Sequence, residues 1–214
     1  VLTVVLERNP NPRLARELMA GVGDMRAFLA KKREAEQAYG RRDYPAAIRL
    51  ANEAINIGGD RDNRMNEIIT QSTGQMALAE ASETFEAGDL DRAESQLAIA
   101  RTNLGNTQQI LALERQIGEL REYSTFVSEG DTHFRRGEYG PAKRKYLAAQ
   151  DIFSNPVIIQ KIRDCDCFQW LVQCDRYIAQ QDWVQAESAL SRAEQVQINA
   201  ETRDSRAIIE DRSQ

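Results

Sequence analysis

The 214-residue chain is poor in the side chains that hold metals or start covalent chemistry: it has one histidine, His133, and three cysteines. A closed zinc site needs four ligands. Cys165, Cys167 and Cys174 lie within ten positions of one another, and His133 is 32 residues upstream of Cys165. An odd number of cysteines in one short segment is not a disulfide framework either. On a helix Cys167 and Cys174, seven apart, share a face while Cys165 points elsewhere. The three therefore read as small buried or half-buried helix residues, and neither a metal nor a cofactor is expected.

Long hydrophobic runs are also missing. The longest is Val1-Leu2-Thr3-Val4-Val5-Leu6, far short of the roughly 18–20 residues that span a bilayer, so no membrane insertion by this segment is expected. Positive charge is not in excess: 28 Lys and Arg face 33 Asp and Glu, for a net charge of −5 and a pI near 5.2. That balance argues against a general nucleic-acid binder, which needs surplus cations to neutralise phosphates. Apart from Val1–Leu6 no stretch alternates apolar and polar residues as a half-buried strand does. The chain also lacks an initiating Met and stops on the polar Ser213-Gln214, so a processed chain or a piece of a larger protein is expected. Any leader would be invisible, which leaves bacterial periplasm and cytoplasm both open.

The sequence does contain regularly spaced turn signals in a chain of ordinary globular composition, 42% hydrophobic and 29% charged. Its length suits one elongated unit or two small domains. Asn9-Pro10-Asn11-Pro12 and Asn155-Pro156 read as an Asn N-cap followed by Pro at the first helical position. Gly58-Gly59-Asp60, Gly105-Asn106 and Asn199 break the chain elsewhere. Between these breaks four segments align without gaps: 35–54, 81–100, 130–149 and 174–193. Each opens on a small residue (Ala35, Ala81, Gly130, Cys174), followed four positions later by a large apolar one (Tyr39, Phe85, Phe134, Ile178). An acidic–apolar pair follows: Asp43-Tyr44, Asp89-Leu90, Glu138-Tyr139, Asp182-Trp183. Then come Ala47, Ala93, Ala142 and Ala186 and, seven further on, Ala54, Ala100, Ala149 and Ala193.

This is the pattern of a helical hairpin. Small residues on both helices let the backbones approach, and larger ones such as Leu97, Tyr146 and Leu190 fill the space between. Gly88 and Gly137 stand where a glycine ends a helix. The spacing from Ala47 to Ala93 is 46 residues, from Ala93 to Ala142 49, and from Ala142 to Ala186 44. The excess over the matched segments precedes each first helix and holds no internal Pro and few Gly. First helices are thus expected over roughly 62–87, 107–136 and 156–180, supported by the spacing of Ile110, Leu113, Ile117 and Leu120. The alternative is a separate short helix broken near Gly74 or Gly118.

These residues resemble the tetratricopeptide repeat, whose pattern is a small residue, an aromatic, a Gly-Asp-Tyr-like turn, then Ala, a bulky residue and Ala. Gly88-Asp89-Leu90-Asp91-Arg92-Ala93 and Gly137-Glu138-Tyr139-Gly140-Pro141-Ala142 match the turn, and Phe126 and Trp170 fall at the early aromatic position. The match covers about 20 residues per unit. Two features depart from it: Glu34, Glu80, Glu129 and Gln173 stand where the family has Leu, and the period exceeds the family's 34 or so residues. The resemblance implies an all-α fold of tandem hairpins forming a right-handed superhelix, an α-solenoid. The expected division is a tail at 1–11, hairpins at 12–57, 60–103, 106–154 and 156–198, and the start of a further helix at 199–214.

It further implies a concave groove lined by first helices. The matching positions are Lys32, Glu36 and Tyr39; Gln75, Leu78 and Ser82; Ser124, Val127, Asp131 and Arg135; and Phe168, Leu171 and Asp175. The family's clamp for acidic chaperone tails needs Lys and Asn in that groove. Lys32 matches but Glu36 replaces Asn, so chaperone-tail binding is not expected. Two dense basic clusters stand out: Lys31-Lys32-Arg33 with Arg41-Arg42, and Arg135-Arg136 with Lys143-Arg144-Lys145. Each is first a solvated face, and the second is a candidate docking patch for an acidic partner. Catalytic motifs are missing: Gly21-Val22-Gly23 lacks the strand and later glycine of a nucleotide fold, and His133 stands at a packing position. The expected role is a protein-binding scaffold or adaptor in a multiprotein assembly. The alternative is a self-assembling region of a larger bacterial envelope machine, a secretion or pilus component.

Overall fold

The computed structural model describes residues 12–59 and 63–212, and the opening segment Val1–Leu6, Asn11 and the expected helix start at Asp62 lie outside them. Among the described residues there are nine helices: α1 (Pro12–Gly40), α2 (Tyr44–Gly58), α3 (Arg64–Glu86), α4 (Leu90–Leu104), α5 (Gln108–Arg135), α6 (Tyr139–Ile152), α7 (Pro156–Ala179), α8 (Trp183–Val196) and α9 (Ala200–Arg212). No strand occurs among them. The fold is an all-α array of helical hairpins, α1–α2, α3–α4, α5–α6 and α7–α8, with α9 as the further helix expected from Ala200. The first helices run unbroken through Gly74 and Gly118, so the long-helix expectation holds over the broken one. A helical Gly costs about 1 kcal/mol against Ala; at Gly74 the close approach of Leu104 requires it.

All four hairpin turns use one stereochemical device. The residue before the acidic position is left-handed each time: Arg42 (φ 62°), Gly88 (81°), Gly137 (74°) and Gln181 (59°). Its N–H bonds to Tyr39, Phe85, Phe134 or Ile178 O, and the next N–H reaches Ala38, Thr84, His133 or Tyr177 O. This is the Schellman closure, which satisfies the orphan carbonyls of the first helix. The acidic residue then caps the second helix: Asp43, Asp89 and Asp182 accept from Ala46, Arg92 and Gln185 N. Glu138, one methylene longer, makes no such bond; its Oε2 meets His133 Nδ1 at 2.6 Å.

The repeated alanines are all fully buried, as are Ala35, Ala81 and Cys174. Gly130 is buried for a specific reason: a Cβ there would lie 2.5 Å from Tyr146 Cε1. Hairpins two and four instead pair Ala81 with Leu97 and Cys174 with Leu190, so ring and hydrogen are exchanged together. A similar volume swap separates hairpins one and two. A Cβ on Gly58 would meet Phe28 at 2.9 Å, and one on Gly74 would meet Leu104 at 2.5 Å. Each fully buried Leu contributes about 1.5–3 kcal/mol, and close packing makes such swaps necessary.

The extensions before each first helix carry a buried triplet at i, i+3 and i+7: Met65, Ile68 and Ser72 in α3, and Ile110, Leu113 and Ile117 in α5. In α9 the same spacing buries Thr202, Ser205 and Ile209. In α7 it reads Ile158, Lys161 and Cys165, with Lys161 half-exposed. From Ser72 to Ala81 and from Cys165 to Cys174 is nine residues, whereas Ile117 to Gly130 is thirteen. α5 thus contains one extra helical turn, and residues 118–122 are all exposed. The chain divides there into two compact units, Val1–Ile117 and Gly118–Gln214. The first holds α1–α4 and the start of α5, and the second holds the rest of α5 with α6–α9.

Candidate protein-binding groove

In the first unit α3 and the start of α5 build an open groove. Gln75, Leu78 and Ser82, at i, i+3 and i+7, share one face of α3. They line a space of about 510 Å³ with Gln109, Ala112, Leu113 and Gln116 of α5, beside Arg42 and Tyr44 of the first hairpin turn. Leu78 is 9% exposed and belongs to the core with Leu113, so the floor is apolar and rigid. The walls are amides. The side chains of Gln75, Gln109 and Gln116 make no hydrogen bond or ion pair within the described residues, whereas Ser82 Oγ donates to Leu78 O. Each unpaired amide offers two donors and an acceptor, the complement of a peptide main chain.

The first hairpin's expected groove residues do not join this lining. Glu36 lies 3.9 Å from Arg64, and the Tyr39 and Tyr44 rings are 6.1 Å apart. Lys32 is half-buried.

In the second unit the expected groove positions are mostly used internally. Asp131 and Arg135 line a smaller cavity of about 230 Å³ with Phe134, Tyr146, Lys161 and Asp164. Asp131 accepts from Tyr146 Oη and from Lys161 Nζ, each at 2.6 Å. Burial alone would raise its pKa, but these donors outweigh it and hold the carboxyl below the usual range. Burial and donation to Asp131 push the Tyr146 phenol up. Phe168, at the position of Gln75, stacks on Tyr139 at 5.2 Å and meets Phe134 edge-on at 5.4 Å. Leu171 is 5% exposed and sits in the core. The expectation that Phe168 and Leu171 line an open groove is therefore corrected: aromatic packing has closed that space. Val127 packs half-buried on the core, while Ser124 and Asp175 are exposed without bringing a groove together.

The expected basic docking patch is largely neutralised at its lysines. Lys143 Nζ lies 2.6 Å from Asp166, and Lys145 Nζ lies 2.7 Å from Glu129 and over the Phe126 ring. Arg135 donates to Thr132 Oγ1. Arg136 and Arg144 are exposed. The thiols are buried and free; burial, with Asp166 and Asp164 nearby, pushes Cys165 up to about 12, and burial pushes Cys174 up to about 11. Among the described residues no group of three or more His, Cys, Asp or Glu could hold a metal ion, and no helix is long and apolar enough to cross a membrane.

Residue spacing overlooked Arg42, Tyr44, Gln109, Ala112 and Gln116. Groove positions in the third hairpin were placed by counting back from Gly130 only as far as Ser124, whereas the lining residues of α5 sit beside its buried triplet, further upstream on the helix. The i, i+3, i+7 spacing of Gln109, Ala112 and Gln116 was the available signal. In comparisons with known proteins, no family profile, no curated protein and no solved structure matches the chain.

Proposed function

We propose that this chain is a protein-binding module of tetratricopeptide-like type, acting as a scaffold or adaptor and not as an enzyme, and that the first unit's groove holds an extended segment of a protein partner. The observation that carries this reading is the row of unpaired amides, Gln75, Gln109 and Gln116, over the apolar floor of Leu78 and Leu113. A preformed floor lowers the ordering cost of binding, and amides on both walls fix the register of a main chain. The inert thiols and the engagement of His133 by Glu138 agree with a non-catalytic role.

Peptides selected by display against the folded chain provide the test. Their affinity is expected to fall at least about tenfold in a Gln75→Ala/Gln109→Ala/Gln116→Ala variant that keeps its helical circular dichroism. Selected peptides indifferent to that variant would remove the groove assignment. Leu78→Asp and Leu171→Asp are unsuitable probes, because both side chains are core.

Self-association is the second reading, favoured by one observation: Leu18, Met25 and Leu29 are exposed along one face of α1. A strict monomer in light scattering at high concentration would discard it.

A further inference from the structure

A second groove in the first unit adjoins the one with amide walls at Tyr44 and Ala79 and has a floor of its own. It lies over α3 between α2 and α4, has a volume of about 720 Å³, and is lined by Ile48, Thr73, Met76, Ala77 and Ile99, with Glu80, Glu83 and Arg92 on its rim. Met76 and Ile99 are 42% and 43% exposed, so the apolar wall of this groove faces solvent. The second unit shows what belongs there. By the hairpin register, Ile48 and Thr73 correspond to Lys143 and Asp166, which close on each other at 2.6 Å. Ala77 and Ile99 correspond to Trp170 and Arg192, whose guanidinium covers the indole at 4.6 Å from its centroid. The residues that touch in one unit line the groove together in the other, so the correspondence holds in space as well as in sequence.

The first unit thus keeps the walls of this site but lacks the ion pair that seals it and the indole that fills it. Arg92 is engaged by Glu80 at 2.6 Å. The Glu83 carboxylate makes no hydrogen bond or ion pair among the described residues and leaves the rim with one uncompensated negative charge. The geometry points to a docking site for a partner protein segment that presents a tryptophan, or another large aromatic side chain, beside a lysine or arginine. The aromatic ring takes the place that Trp170 occupies in the second unit, and the cation faces Glu83. Aromatic anchors in preformed apolar pockets are the usual hot spots of interfaces, and a rim charge sets which neighbour is accepted.

The test is titration of the intact chain with acetyl-Trp-Lys-amide, followed by methyl NMR of Met76, Ile48 and Ile99. Saturable shifts at these methyls are expected, with a Kd on the order of 1 mM for so small a ligand. Acetyl-Ala-Lys-amide is expected to give none at the same concentrations. Ala77→Trp copies the second unit and is expected to weaken binding at least about tenfold; Ile99→Asp on the exposed wall is the independent variant should the first not fold. Equal shifts with the alanine peptide, or undiminished binding in the variants, would overturn the assignment. So would shifts confined to Ala112 and Leu113, an outcome that supports the amide-walled groove while rejecting this one. Unchanged titration in the triple Gln→Ala variant is expected.

Discussion

The two units are variations on one plan, and their differences lie where a partner would bind. In the first, the positions around the hairpin junction are Gln75, Ala77, Ile48 and Ile99, which leave both grooves open. In the second, the corresponding residues are Phe168, Trp170, Lys143 and Arg192, and each has an internal neighbour. The junction interior differs as well. Ile68 is fully buried in the first unit, whereas at its counterpart Lys161 pairs with Asp131 and lies 5.4 Å from the Tyr146 centroid. One unit has spent its side chains on itself and the other has kept its surface unspent. The same backbone repeat therefore presents closed or open grooves, according to a few side chains on facing helices.

Making the units more alike, or less, tests this. The largest effect is expected for Trp170→Ala, which opens the sealed groove. Burying Trp normally contributes 3–5 kcal/mol over Ala, and a half-buried ring is expected to cost about 2–4 kcal/mol by denaturant unfolding. Gly130→Ala forces a methyl into Tyr146 and is expected to cost about 1–3 kcal/mol. Adding Tyr146→Leu copies the Ala81–Leu97 pair and should recover part of that loss, a non-additivity that a double-mutant cycle measures.

The Asp131 network predicts a pH dependence peculiar to the second unit. Because the folded carboxyl titrates below the ordinary range, its contribution is fully present above the unfolded value and is lost as pH falls through the folded one. Asp131→Asn is therefore expected to lower stability at pH 7, with the gap from the parent closing in acid. A gap that stays constant down to pH 2 would count against the network. The smallest effects lie in the turns, where the units agree. Arg42→Gly and Gln181→Gly relieve positive φ and are expected to stabilise by about 0.5–1 kcal/mol, while Gly88→Ala is expected to cost about 1 kcal/mol. No gain at Arg42 or Gln181 would mean that their side chains hold the turn by contacts of their own.

Much of the architecture was legible because it depends on residues close in sequence. Asp43, Asp89 and Asp182 cap the helix that starts at the next residue, and Asn155-Pro156 does the same for α7. The small positions recur because two backbones must touch there in every hairpin. The left-handed turn at Arg42 and Gln181 was not legible, since neither is glycine; the Schellman hydrogen bonds impose it. The site was legible only in part. Gln75, Leu78 and Ser82 line one open groove, but its other wall lies in the extension of α5, upstream of every position that counting from Gly130 assigned.

By itself, then, the sequence determined the helices, their caps, the hairpin pairing and the alanine contacts, all set by spacing along one or two adjacent helices. Tertiary structure alone decided which grooves stay open. That depends on partners far apart in the chain, such as Lys143 with Asp166 and Tyr139 with Phe168, and a side chain's availability follows from what lies opposite it in space.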